Sequence, residues 1–100
     1  MGASQDSSAE MRLDQFLSNA GRIPRRTQAK QACDKGLVEI DGEVVKPSTS
    51  IQVGQQITIK VGMMIRKYRV LQLPQRPVPR NKRDEYSELL SSQPIDEIES

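Results

Sequence analysis

The stretch RRTQAKQACDKGLVEIDGEVVKPS, residues 25–48, contains the change of pattern that decides the fold. Its first half has a helical period, because Ala29, Ala32 and Cys33 fall on one face of a helix that Gly36 would end. Beyond Gly36 the period changes from about 3.6 residues to 2, which is typical of strands. The stretch therefore predicts a helix with Cys33 in the core, followed directly by β-structure.

The β-structure begins with a hairpin in LVEIDGEVVK, where two strands rich in β-branched residues are joined by Asp41 and Gly42. An Asp-Gly pair suits the type I′ turn of a two-residue hairpin. An alternating strand with Ile57, Ile59 and Val61 follows, and after another glycine turn comes the strand IRKYRVLQL. These segments predict a small, mostly antiparallel, twisted sheet.

Upstream, RLDQFLSNAG predicts the first helix of the chain, which would pack beside the second helix, the one that Gly36 ends. Its apolar residues fall at i, i+3, i+4 and i+7, which places Leu13, Phe16, Leu17 and Ala20 on one face. The chain therefore predicts an α+β fold in which two short packed helices lie against the sheet, with a C-terminal extension.

The division of the chain follows from its composition. Residues 1–10 are small and polar and are expected to be a disordered leader, whereas residues 11–73 form the folded domain. Residues 74–100 are expected to hold a basic, proline-rich linker over 74–83, a short helix in DEYSELL and a mobile acidic tail in SSQPIDEIES.

Charge is unevenly distributed along the chain, although the formal net charge is only +2. Residues 11–83 hold all 15 Lys and Arg with five acidic residues, whereas residues 84–100 hold six acidic residues and no basic one. Such an excess of positive charge is typical of a polyanion-binding protein, and a merely solvated basic surface is the alternative. The acidic end either competes with that polyanion or keeps the protein soluble.

The residue types needed for metal sites and catalysis are scarce. The chain has no His and a single Cys, which argues against a zinc site and an internal disulfide. It also lacks a glycine-rich phosphate loop and paired carboxylates, so we expect no enzyme activity and no cofactor. No apolar run approaches about 18 residues, and we expect a cytoplasmic monomer that does not bind membranes.

The helix that begins just after Pro24 carries charge of an unfavourable sign at its start. Its exposed N–H groups are already positive, yet Arg25 and Arg26 stand in its first turn and no capping Ser, Thr, Asp or Asn precedes them. Arg26 and Lys30 share a face, and Arg22 lies just upstream. This pattern predicts a phosphate cradle in which three cations surround open N–H donors. The alternative is that Pro24 simply starts the helix and the arginines are solvated.

MRLDQFL, then RRTQAKQACDKGLVEIDGEVVKPS, then the Val53-Gly54 turn resemble the S4 RNA-binding domain in order and spacing, over roughly residues 11–60. With the basic strand and VLQLP, the chain resembles the small single-domain family of the ribosome-associated heat-shock protein and the ribosome quality-control factor RqcP. The resemblance implies the S4 (alpha-L) fold and binding of structured RNA, namely tRNA and the rRNA of the large ribosomal subunit. It also implies RNA-binding residues on and beside the second helix: Arg12, Arg25, Arg26, Thr27, Lys30 and Lys35.

Further basic residues are candidates for secondary RNA contacts. Lys46 ends the hairpin and is either an RNA contact or a solvated charge on an edge strand. Three more, Arg66, Lys67 and Arg69, surround Tyr68. That tyrosine either stacks on a base or packs against the sheet.

The role of two polar residues is left open by the sequence. Thr27 either contacts phosphate or hydrogen-bonds a local backbone group. Asp14 either pairs with an arginine or caps the first helix.

Together these patterns predict a non-catalytic protein that recognises structured RNA through its phosphates. The resemblance implies a ribosome-associated factor that acts on the large subunit in stalled-ribosome quality control. Two alternatives are a detached RNA-targeting domain of an RNA-modifying enzyme, such as a pseudouridine synthase, and a protein-interaction module.

Overall fold

The structure, a computed structural model, describes residues 11–95 and contains two α-helices, one 3-10 helix and seven strands in that range. The elements in chain order are β1 (Met11–Arg12), α1 (Leu13–Asn19), α2 (Arg26–Asp34), β2 (Val38–Ile40), β3 (Glu43–Val44), β4 (Ser50–Ile51), β5 (Gln56–Val61), β6 (Met64–Val70), the 3-10 helix (Arg80–Glu85) and β7 (Ser87–Pro94). Five strands form an antiparallel sheet in the order β3-β2-β5-β6-β7, and β1 pairs with β4 separately. The predicted α+β class is confirmed.

The two helices pack together through the residues that the helical period selects. Leu13, Phe16, Leu17 and Ala20 of the α1 region have no exposed surface. From α2, the small side chains of Ala29, Ala32 and Cys33 are buried in the same core. Small residues at this contact allow a close approach of the helices, which is the packing that the sequence predicts.

The hairpin between β2 and β3 has the predicted turn. Asp41 and Gly42 both have positive φ, 51° and 91°, as a type I′ turn requires. Glu39 pairs with Val44 across this hairpin, and Val38 pairs with Ile59 of β5 on the other side. Strand β2 therefore lies between β3 and β5 in the sheet.

The β5–β6 pair differs from the sequence prediction at its ends. Ile57 and Ile59 are buried as predicted, but Val61 is half exposed because it stands beside the turn, past the edge of the core. The strand predicted in IRKYRVLQL runs from Met64 to Val70, and the following residues leave the sheet.

The C-terminal segment corrects the sequence prediction. The short helix expected in DEYSELL is wrong, since Asp84 and Glu85 end the 3-10 helix whereas Ser87–Pro94 is strand β7, paired with β6. The mobile tail is likewise wrong for residues 91–94. β7 satisfies the backbone groups of β6 that would otherwise form an open sheet edge. The predicted leader, residues 1–10, and the rest of the tail, residues 96–100, lie outside the described residues.

The segment predicted as a linker over 74–83 packs back onto α1. The Asn19 side-chain amide donates a hydrogen bond to the Pro74 carbonyl at 3.0 Å, and the Val78 N–H donates to the Asn19 carbonyl at 2.9 Å. Residues 74–95 therefore share contacts with the helix pair and the sheet. Within residues 11–95, no helix has the length and apolar character needed to span a bilayer.

Candidate nucleic-acid interface

The N-terminus of α2 is open, as the sequence indicates. The helix begins at Arg26, one residue later than the predicted start just after Pro24, because Arg25 is extended (φ −128°, ψ 144°) and forms the N-cap. Pro24 therefore lies before the cap and is not the first helical residue. Within residues 11–95, no side chain caps this end, and the first turn holds no acidic residue. Within that range, the N–H groups of this first turn have no side-chain cap, and they make the helix end partly positive, so that it can receive an anion.

A buried carboxylate organises the arginines beside this helix end. Asp14, in the first turn of α1, is 2% exposed and accepts two hydrogen bonds from Arg12, from Nε at 3.1 Å and from Nη2 at 3.0 Å. Arg26 Nη2 lies 3.6 Å from Oδ1 of the same carboxylate. Asp14 thus pairs with arginines, one of the two roles left open by the sequence, and holds both guanidinium groups on one side of the molecule.

The ionisation of Asp14 reflects this contact. Burial alone would raise the pKa of Asp14, but the hydrogen bonds from Arg12 and the charges of Arg26 and Arg12 outweigh it and hold the pKa below its usual value. The carboxylate is therefore charged at neutral pH. Because both guanidinium groups are about half exposed, they keep outward N–H groups for a second anion.

These side chains line a shallow cavity of about 300 Å³, here called the α2 cradle, formed by Arg12, Asp14, Arg26, Thr27 and Lys30. Three cations against one carboxylate leave a net positive charge. Fork-shaped guanidinium groups beside open helix N–H groups suit phosphate oxygens. The cradle therefore unites four of the predicted RNA-binding residues with the aspartate that positions two of them.

The predicted position of Arg22 in the cradle is wrong. Its side chain is only 7% exposed and points to the C-terminal segment. Nε donates to Ser87 Oγ at 2.7 Å, and Nη2 donates to the Ser87 carbonyl at 2.7 Å and to Asp84 Oδ1 at 2.9 Å. Cζ also lies 4.5 Å from the centre of the Tyr68 ring. We call this set of contacts the Arg22 clasp.

The other predicted contacts are spread over the surface. Arg25 is exposed beside the cradle, whereas Lys35 caps the opposite end of α2. Lys46, Arg66, Lys67 and Arg69 are all exposed. Along β6, Arg66 and Tyr68 alternate with Lys67 and Arg69, so these cations do not share one face of the sheet. Tyr68 is 5% exposed and packs in the core. Of its two possible roles, packing against the sheet is therefore the one that the structure shows.

Cys33 has a structural role. Cys33 is buried as predicted, and burial raises the pKa of its thiol to about 11, so the reactive thiolate is scarce at neutral pH. Within the part of the chain that the structure describes, no cluster of three His, Cys, Asp or Glu side chains could hold a metal ion. The two residues that bind Arg22, namely Asp84 and Ser87, could not be identified from the sequence, because no local pattern marks a contact across more than 60 residues.

Comparison with known proteins relates this geometry to other chains. Residues 11–57 match the family model of the S4 domain. The Helicobacter pylori (strain J99) protein named RQC P-site tRNA stabilizing factor is 37% identical over 71 residues, covering 70% of this chain and 84% of that protein. A protein of the same name from Streptococcus pneumoniae (strain R6) is 38% identical over 63 residues, or 63% of this chain and 72% of that protein.

A solved structure extends the likeness to the fold. The trimeric Heat Shock Protein 15 of Vibrio cholerae superimposes with a TM-score of 0.77 at 24% sequence identity. The match covers 82% of this chain and 83% of that one. The two chains therefore share a fold over most of their length.

Proposed function

This chain belongs to the family of RQC P-site tRNA stabilizing factors, which carry an S4 domain, and on that premise we propose that it is a non-catalytic, ribosome-associated RNA-binding protein. It acts in the cytoplasm, on the large ribosomal subunit, in the quality control of stalled ribosomes. Its ligands are structured RNA, tRNA or rRNA, bound through phosphate groups.

The α2 cradle is the observation that carries this proposal. Asp14 fixes Arg12 directly and its Oδ1 lies 3.6 Å from Nη2 of Arg26, while within residues 11–95 no side chain caps the first turn of α2. Unfavourable charge at the helix N-terminus costs stability, and a bound phosphate would remove that cost. Arg25 at the N-cap and Lys35 at the C-cap add positive charge at the two ends of the same helix.

Phosphate recognition suits this surface better than base stacking. Phe16 and Tyr68 are buried in the core, so neither ring offers a face to a base. Arginine forks and helix N–H groups instead bind phosphate oxygens without regard to base identity. The specificity then comes from the shape of the RNA.

The few groups with catalytic potential support a non-catalytic role. The Asp14 carboxylate is occupied by arginines, and the raised pKa of the buried Cys33 keeps it a thiol. Neither is available as a base or a nucleophile.

A pair of single-charge substitutions tests the proposal. Arg26→Ala should weaken RNA binding by about 1–3 kcal/mol, the range of charge-assisted hydrogen bonds, because Arg26 lines the cradle. Lys67→Ala, the control, should cost less than about 1 kcal/mol, because Lys67 is an exposed strand lysine. Asp14 keeps its two hydrogen bonds from Arg12, so the free energy of unfolding should change little in either variant.

The measurements are RNA affinity at fixed salt, the salt dependence of that affinity and a denaturant melt. If five cations contact phosphates (Arg12, Arg25, Arg26, Lys30 and Lys35), the slope of log K against log salt should be about −3.5 to −4.5. A slope near zero would contradict phosphate recognition. An Arg26→Ala protein that binds RNA as well as the Lys67→Ala protein would exclude the cradle.

A further inference from the structure

A second concave surface lies on a different face of α2. It is a groove of about 370 Å³ between α2 and the β5–β6 strands. Gln28, Gln31 and Lys35 line one side of this groove, whereas Arg26 and Lys30 line the cradle. Because each helical residue turns about 100°, the two sets face different directions. We call the second surface the α2–sheet groove.

The walls and rim of the groove differ in chemistry. Its walls include Ile23, Leu37 and Val61, which are apolar. The side-chain amides of Gln28 and Gln31 stand on the helical side. The part of the chain that the structure describes contributes no Asp or Glu to the lining.

Only part of the positive charge at the rim is available for a ligand. Arg22 is held by the Arg22 clasp, and Lys60 forms a salt bridge to Glu39, with Nζ 3.2 Å from Oε2. Lys35 and Arg66 make no salt bridge within residues 11–95, although Arg66 has a long hydrogen bond of 3.4 Å to Ser92 Oγ. Two available cations match one or two phosphates better than the run of carboxylates in an acidic peptide.

We propose that the α2–sheet groove receives one unstacked nucleotide of the bound RNA. The base lies against the apolar wall, the amides of Gln28 and Gln31 hydrogen-bond its edge, and its phosphate lies near Lys35 and Arg66. An amide offers both a donor and an acceptor, which is what a base edge requires. A volume of about 370 Å³ is within the range of small-ligand sites.

The inference rests on the proposed function, and adds a base contact to phosphate recognition. α2 has nine residues and is therefore about 13 Å long. An RNA strand with phosphates in the cradle passes along the same short helix, so a neighbouring nucleotide can enter the groove. The cradle and the groove then contact one RNA strand from two faces of α2.

The test compares three RNA hairpins that differ at one position: a bulged adenosine, an abasic residue in the same bulge, and full pairing. The bulged and abasic hairpins carry the same number of phosphates, so their difference isolates the base. The wild-type protein should bind the adenosine bulge about tenfold more tightly than the abasic bulge, which is within the range for one glutamine amide hydrogen-bonded to an adenine edge.

The matched variants change no charge. In Gln28→Ala/Gln31→Ala the preference should fall below about twofold, while affinity for the abasic hairpin and the salt slope stay as in the wild type. Both residues are exposed on a helix, where alanine is well tolerated, so the variant should fold. The control Gln75→Ala/Gln93→Ala, which removes two exposed amides outside the groove, should keep the full preference.

The outcomes separate the inference from the function on which it rests. Equal affinity of the wild-type protein for the adenosine and abasic bulges would overturn the groove as a nucleotide site and leave phosphate recognition intact. Absence of salt-dependent binding to any of the hairpins would contradict the proposed function itself. An acidic peptide that displaces the bulged RNA from the wild-type protein, but not from the Gln28→Ala/Gln31→Ala variant, would assign the groove to a protein partner and overturn the inference.

Discussion

Replacing Arg22 with alanine should mainly lower the stability of the folded domain, and should affect RNA binding less. The clasp joins the segment before α2 to β7, and Ser87, its main partner, has no exposed surface. Removal of the guanidinium leaves the Ser87 hydroxyl and carbonyl without their donor inside the protein. A buried polar group without a partner carries its full desolvation cost.

The size of the effect follows from the individual contacts. Each of the two hydrogen bonds to Ser87 is charge-assisted and contributes about 1.5–3 kcal/mol. The contact with the Tyr68 ring adds about 1 kcal/mol. The pair with Asp84 adds little, since that carboxylate is 85% exposed. Because such contributions are not additive, we expect Arg22→Ala to lower the free energy of unfolding by about 3–4 kcal/mol.

A urea melt measures this change, and Arg69→Ala is a control that removes an exposed arginine from β6. With an m-value of about 1.5 kcal/mol/M, the urea midpoint of Arg22→Ala should fall by about 2–2.7 M. The control should stay within about 0.5 kcal/mol of the wild type. A loss below about 1 kcal/mol for Arg22→Ala would refute the clasp. Unchanged stability with RNA binding as weak as that of Arg26→Ala would return Arg22 to the RNA-binding surface.

Three further predictions concern the pH dependence of stability and the C-terminal segment. Because the pKa of Asp14 is lower in the folded than in the unfolded protein, its stabilising effect is present above the unfolded value of about 3.9 and is lost as pH falls through the folded value. Stability measured by melts should therefore fall in that acidic range, and less steeply for Asp14→Asn. Truncation after Arg83 should destabilise the protein, because it removes β7 and both clasp partners, and circular dichroism would detect this. Neutralising the acidic residues 96–100 instead should tighten RNA binding at low salt if they compete with RNA; unchanged affinity would favour a solubilising role.

Local patterns were sufficient to predict the helix pair and the first hairpin. Helical spacing identifies Phe16 and Ala29 as core residues, and the Asp41–Gly42 pair identifies the turn, because each signal lies within a few neighbouring residues. The same is true of the uncapped start of α2. The family resemblance, confirmed by the S4 match and the relatives, identified the fold that these elements form.

Contacts between distant segments were the part that the sequence did not predict. SELLSSQP has no alternation of apolar and polar residues, since most of β7 is exposed at the sheet edge, and only the open edge of β6 makes it a strand. In the sequence, Arg22 cannot be distinguished from a surface cation. Only the tertiary contact with Ser87 shows that its side chain is held inside the fold. In the cradle, Arg26 and Lys30 follow from helical spacing, whereas their approach to Arg12 requires the tertiary contact through Asp14.

The long sequence separation within the clasp has a kinetic consequence. Arg22 and Ser87 are 65 residues apart, and Asn19 and Pro74 are 55 apart, so both contacts close large loops. Closing a large loop costs entropy, and such contacts tend to form after the local helix and hairpin contacts. An interaction that forms after the transition state slows unfolding and leaves the folding rate nearly unchanged. In stopped-flow experiments, Arg22→Ala should therefore raise the unfolding rate with little change in refolding, so that this arginine sets the lifetime of the folded domain.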